Sequence, residues 1–237
     1  MSFLTRHSPQ QITELVFRDA TVGDIVTDYA QGLRDKHLML YGPAGSGKSI
    51  AAQMILNERV GDLAHSAVAR PINPRDYGFD DFEPLLSDWS AQRMHAVPRG
   101  YTVIDEVDFF SDRMREKLRA FIDSTQLGTI IVTTNNLHKL DEPFKDRFRV
   151  LRVDHPLAQD WYARAHKILT AEGINITEQE VMNLLNGFDG SARKLIEWLE
   201  DHTLKQKRMS AQSKKTIVVN TQPAPRAQIN GNTLIRK

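Results

Sequence analysis

The sequence contains no cysteine, which excludes disulfides, thiolate metal sites and a cysteine nucleophile. No apolar run approaches the ~18 residues of a membrane span, and the first residues, MSFLTRHSPQQ, lack the pattern of a signal peptide. A cytoplasmic protein without membrane contact is the expectation. Aromatic residues make up 8% and charged residues 26% of the 237 positions, the proportions of a globular chain long enough to bury a core. A further shortage is local. From Leu204 to the end there is no acidic residue, while Lys205, Lys207, Arg208, Lys214, Lys215, Arg226, Arg236 and Lys237 are basic. The formal charge of +1 therefore divides into a tail of +8 and a body of −7.

Against these absences, one short stretch is dense in chemistry. Residues 42–49 read GPAGSGKS directly after the apolar run Leu38-Met39-Leu40-Tyr41. The spacing fits G-x-x-x-x-G-K-[ST], a loop whose backbone N–H groups turn inward around a polyphosphate. Gly42, Pro43, Ala44, Gly45, Ser46 and Gly47 form that cradle, with the glycines free to take positive φ. The helix that follows offers its positive end to phosphate. Lys48 is placed to reach the β- and γ-phosphates and Ser49 to ligate Mg²⁺. ATP with Mg²⁺ is the expected ligand.

Apolar period and turn residues predict strands at His37–Tyr41, Ala64–Ala69, Tyr101–Asp105, Thr129–Thr133 and Val150–Val153, alternating with helices up to about residue 154. That alternation implies an α/β, doubly wound, parallel five-stranded sheet of the P-loop NTPase type. Residues 155–205 read as a small helical domain with helices over Leu157–Ala171, Thr177–Asn186 and Ser191–Thr203. The middle one opens on a capping box, Thr177 with Glu180. Residues 206–237 have the composition of a disordered, basic tail, in which Thr216–Val219 and Asn230-Gly231 could form short strands.

The stretch Tyr101–Phe110, YTVIDEVDFF, decides among P-loop chemistries. Asp105 emerges at the carboxyl end of a buried strand, where open α/β sheets bind ligands, and can hold Mg²⁺. Glu106 is placed to orient an attacking water, which points to γ-phosphate hydrolysis. The next buried strand ends TTNN. Asn135, or its neighbour Asn136, is placed between the γ-phosphate and the acidic pair. Beyond it EPFKDRFRV supplies Arg147 and Arg149, either of which suits an arginine finger offered to a neighbouring subunit. Arg193, in the first turn of the last helix, could reach the γ-phosphate and tie closure of the helical domain to nucleotide state.

This order of parts resembles the AAA+ ATPases, and more narrowly the small subunits of replication factor C and related sliding-clamp loaders. The resemblance implies an AAA+ sheet domain over residues 1–154, a lid over 155–205, and an oligomer, homomeric or heteromeric, with ATP at subunit interfaces. SPQQITELVF resembles the lead-in to an adenine pocket and so puts Val16 and Phe17 near the base. KLRAFIDS resembles the clamp-loader helix whose arginine, here Arg119, couples to the next subunit. EPFKDRF stands where clamp loaders keep a Ser-Arg-Cys finger, which favours Arg147; the local Asp146-Arg147-Phe148 is closer to Holliday-junction motors such as RuvB. The implied activity is ATP-driven loading or remodelling of DNA or a DNA-bound replication or recombination protein. An ATP-dependent switch acting on a protein without DNA contact is the alternative, and a monomeric small-molecule kinase a third.

Overall fold

The computed structural model describes residues 2–75, 80–188 and 190–220, the side chains of 213–220 excepted. Four parallel strands form one sheet: β1 (His37–Tyr41), β2 (Gly100–Ile104), β3 (Gly128–Thr134) and β4 (Phe148–Arg152), in the order β2-β3-β1-β4. Alternate residues leave opposite faces, as a pleated strand requires. Leu38, Leu40 and Ile131 pack under α2 (Ala20–Gln31) and α3 (Lys48–Val60). Met39, Ile130 and Val132 pack under α4 (Pro84–Met94), α5 (Asp112–Ser124) and α6 (Glu142–Lys145). Covering both faces explains why β3 is buried at every position.

The expected fifth strand is a correction. Ala64–Ala69 forms two short 3-10 turns instead, as befits a stretch rich in alanine with a single β-branched residue. Among the described residues, the sheet edge next to β2 is filled by Ile72 alone, which bridges to Ile104. Its N–H donates to the Val103 carbonyl at 2.9 Å, and its carbonyl accepts from Asp105 N–H at 2.9 Å.

A second core belongs to α7 (Ala158–Ala171), α8 (Glu178–Leu185) and α9 (Ala192–Asn220), with Trp161, Ile168, Val181, Leu185, Leu195 and Leu199 inside it. It is completed from the far end of the sequence by Phe3 on α1 (Phe3–His7). Glu172 accepts from Arg6 at 2.7 Å and from Lys207 at 2.7 Å, and pairs with His7 at 2.9 Å, so the N-terminal helix and α9 are bound through one carboxylate. The hydrogen bond from Lys207, with those from His7 and Arg6, holds its pKa down at about 2.

The expectation for the tail also changes. Residues 206–220 continue α9 as helix rather than standing disordered. The run KQKRMSAQSKK has good helix formers and no glycine or proline, and Lys207 is fastened to Glu172. Residues 221–237, with the Asn230-Gly231 pair, lie outside the described residues.

Candidate active site

The glycine-rich loop connects β1 to α3 across the carboxyl end of the sheet. Gly42 passes so close to β4 that a Cβ there would sit 2.1 Å from the Val153 carbonyl oxygen. Gly47, the N-cap of α3, takes φ 96°, a left-handed conformation that disfavours any side chain. Lys48 is only 5% exposed. Its ammonium donates to the carbonyls of Gly42 at 3.0 Å and Pro43 at 2.8 Å, and lies 3.5 Å from the Ser46 hydroxyl. Burial lowers its pKa, opposed by the negative charges of Asp105, Glu106 and Asp108.

Ser49 donates to Asp105 at 2.7 Å, joining the loop to the end of β2. The same carboxylate oxygen accepts from the Thr133 hydroxyl, which in turn accepts from Glu106 N–H at 2.9 Å. Glu106 has φ 55°, rare for a non-glycine residue, and its carboxylate meets two partners. Asn135 donates to it at 3.4 Å, and Arg75 pairs with it at 3.1 Å while stacking 3.8 Å over the Phe109 ring. Asn136 turns elsewhere and donates to Asp108 at 2.7 Å. A hydroxyl and a carboxylate, both hard oxygen donors, fit Mg²⁺. Among the described residues no group of three acidic or imidazole side chains could hold an ion alone, so Ser49 and Asp105 would share it with phosphate oxygens.

The helical domain reaches this loop directly. Ala192 N–H, at the start of α9, donates to the Gly45 carbonyl at 3.1 Å, and a Cβ at Gly45 would lie 2.8 Å from the Ser191 hydroxyl. His155 donates its Nε2–H to the Ala44 carbonyl at 2.9 Å. Arg193 therefore stands exposed within one residue of a loop contact. Beside the loop, Phe17, Arg18, Asp19, Ala20, Val22, Arg152, Val153 and Asp154 line a cavity of about 460 Å³. Phe17 lines it and also packs on the sheet core, whereas Val16 packs against the helical domain.

Arg147 is not among these groups. It precedes Phe148, which pairs with His37 at the amino end of β1, whereas the glycine-rich loop follows Tyr41 at the other end. Five strand residues at about 3.3 Å each separate the two by roughly 15 Å. Arg147 is held in its own chain, donating to Asp123 at 3.1 and 2.8 Å and to the Pro143 carbonyl at 2.6 Å. Arg119 pairs with Asp141 at 3.3 Å. Arg149 sits within β4, half-buried, where its charge acts on the buried Tyr29 hydroxyl. Sequence reasoning missed Arg75, Thr133, Asp108, Asp123 and His155. Only Asp108 carried a signal, as the last residue of the acidic DEVD run.

A parallel sheet with a glycine-rich loop, an acidic pair and a polar strand end at one edge defines a P-loop nucleotide-binding class. Residues 38–154 match the family model described as ATPase family associated with various cellular activities (AAA). The chain resembles the small subunits of replication factor C. It is 22% identical to replication factor C subunit 4 of Encephalitozoon cuniculi, over 83% of this chain and 63% of that protein. To the replication factor C small subunit of Haloarcula marismortui it is 24% identical, over 84% of this chain and 61% of that protein. The RuvB Holliday junction branch migration motor of Thermotoga maritima shares the fold, with a TM-score of 0.60 at 18% identity over 84% of this chain and 65% of that one. The chain spans about three-fifths of the length of the curated relatives it matches.

Proposed function

We propose that this chain hydrolyses ATP as one subunit of an AAA+ assembly and uses the energy to load or remodel a DNA-associated partner in replication or recombination. The observation that carries this reading is the separation within one chain. Lys48, Ser49, Asp105, Glu106 and Asn135 converge at one end of the sheet, and Arg147 stands at the other. A finger so far from its own nucleotide has work to do only in a neighbour's site, and the ATP then lies between protomers.

Within a protomer, Lys48 now satisfies its charge on loop carbonyls. Phosphate oxygens are stronger partners for a buried ammonium and would draw it outward. Mg²⁺, held by Ser49 and Asp105, would neutralise phosphate charge. Glu106 would take a proton from the attacking water, with Asn135 fixing where that water stands. Arg75 must first release Glu106, so the ion pair keeps the resting protomer slow. Phe17 and the cavity beside it would take the base, and Arg193 would report the γ-phosphate to the helical domain.

The test is ATP turnover alongside binding of a fluorescent nucleotide. Glu106→Gln should bind as the parent does and lose about 10²–10⁴ in turnover. Lys48→Ala should lose binding. Turnover that survives in Glu106→Gln overturns the assignment.

A second reading, a protein-directed switch with no DNA contact, is favoured by one observation. Asp80, Asp81 and Glu83, exposed just before α4, present carboxylates that repel a phosphate backbone. Turnover unaffected by added DNA would support it, and stimulation by DNA would support the first.

A further inference from the structure

Outside the nucleotide cradle, the carboxylate of Asp108 is a buried charged group held by two short hydrogen bonds. It is 7% exposed and its partners are a hydroxyl and an amide rather than a cation. One oxygen accepts from the Thr134 hydroxyl at 2.8 Å, the other from the Asn136 side-chain amide at 2.7 Å. The ring is closed by Asn136 N–H, which donates to the Thr134 hydroxyl at 3.0 Å. Burial works to raise the pKa of Asp108, yet these bonds and the charge of Lys139 leave it below the ordinary carboxylate range.

A buried carboxylate is costly, and apolar side chains of similar size would fill the same space without that cost. What the acid provides is two acceptors at fixed positions. They fall on the residues flanking Asn135, which is itself exposed and makes one long bond of 3.4 Å to Glu106. Asn136 is the N-cap of a 3-10 turn, where asparagine commonly bonds a backbone N–H ahead of it, but it caps nothing and spends its amide on Asp108. Thr133, one residue further back, is bound to Asp105 and Glu106. Residues 133, 134 and 136 are thus all tied to the loop 105–108 by bonds of 2.9 Å or less, and the exposed Asn135 between them reaches that loop only through its longer bond to Glu106.

We propose that Asp108 is a positioning residue for hydrolysis: by gripping the chain on both sides of Asn135, it holds that amide at Glu106. This rests on the reading of Glu106 and Asn135 as the hydrolytic pair. Asp108 touches neither the water nor the nucleotide, so its loss should lower turnover and spare binding.

The experiment uses the full chain, with ATP turnover, affinity for a fluorescent ATP analogue and melting temperature measured together. In Asn136→Asp two carboxylates meet where an amide met one, and kcat should fall about 10–100-fold with nucleotide Kd within about twofold, the scale expected for a misplaced group. The double variant Asp108→Asn/Asn136→Asp reverses the donor and acceptor and should return kcat to within about threefold of the parent. Thr134→Val removes one hydroxyl without changing charge, and should lower kcat about 3–10-fold even if Asn136→Asp does not fold. Parental turnover in both folded single variants overturns the proposal. So does a double variant no better than Asn136→Asp, or a loss of kcat, affinity and melting temperature in step. Glu106→Gln is run beside them. Turnover surviving there overturns the hydrolytic reading itself, whereas its loss beside an undisturbed Asn136→Asp overturns only the role of Asp108.

Discussion

The two ends of the sheet are made from the same four strands and do different work. At the carboxyl end β1, β2, β3 and β4 finish in Tyr41, Ile104, Thr134 and Arg152, and the chain beyond β1 and β2 contains left-handed residues and is held by side-chain bonds. At the amino end Trp89 lies across Gly100 and Gly128, its indole N–H donating to Thr102 at 2.8 Å, and His37 accepts from Ile130 N–H at 2.9 Å. One end collects polar side chains joined by hydrogen bonds, and the other is closed by packing on Trp89. Substitutions at the amino end should therefore move stability and leave chemistry alone, with Arg147 the exception that breaks the division.

That exception gives the largest expected effect. Arg147→Ala should lose about 10³–10⁵ in assembled turnover while a single protomer binds nucleotide unchanged. Mixing Arg147→Ala subunits with Lys48→Ala subunits should recover part of the rate, because each supplies what the other lacks. A mixture no faster than its components, or turnover independent of protein concentration, would mean that the finger does not act in trans.

The amino end should reveal itself in its response to pH. Burial, helped by the charges of Arg99 and Lys36, lowers the pKa of His37 to about 4 from an ordinary 6.5. Between those values the unfolded chain binds the extra proton, so stability is complete above about pH 6.5 and is lost as pH falls toward 4. The loss is of order 3 kcal/mol. Glu14 and Glu172, held at about 2, lose their share only below about pH 4.5. His202, lowered chiefly by burial, works in the same direction as His37. Melting curves from pH 7 to 4.5 should therefore flatten in His37→Gln without becoming level; an unchanged slope would remove His37 from the account.

Packing at the same end is tested by Gly128→Ala. The new Cβ would lie 2.4 Å from the Trp89 ring and force one of them to move, at a cost of about 1–3 kcal/mol. In a chain of this size that lowers the melting temperature by about 2–4 °C per kcal/mol, with nucleotide affinity kept. A loss of affinity larger than the loss of stability would show that the two ends are coupled.

Much of this contrast was legible in the sequence, for reasons that differ by residue. The residues of the glycine-rich loop are contiguous, and Asp105 and Glu106 are neighbours behind an apolar strand, so local spacing made each group legible, while their meeting through Ser49 is a product of the fold. β1 and β3 were readable because a strand covered on both faces must be apolar throughout. Ile72 was not, since a single bridging residue has no period. Nor was Arg75, whose partner Glu106 lies on another element and whose ion pair depends on how the loop before α4 returns to the sheet. Asn135 and Asn136 are identical by type, and only the position of Asp108 separates them. The helical course of residues 206–220 was hidden because composition measured the shortage of apolar residues and missed the anchoring of Lys207 to Glu172.

The smallest expected effect lies at the carboxyl end and sharpens what is meant by a resting site. Arg75 is more than half exposed, and exposed ion pairs contribute about 0–1 kcal/mol, with a stacked guanidinium adding about 0.5–1. Together they can restrain Glu106 by no more than roughly thirtyfold in population. Arg75→Ala should accordingly raise basal turnover several-fold while leaving nucleotide affinity as it is. Rising salt should do the same to the parent and much less to the variant, because screening removes a pair that the variant no longer has. If turnover falls instead, Arg75 holds Glu106 in its working position, and the carboxyl end of the sheet is already assembled for hydrolysis before any partner arrives.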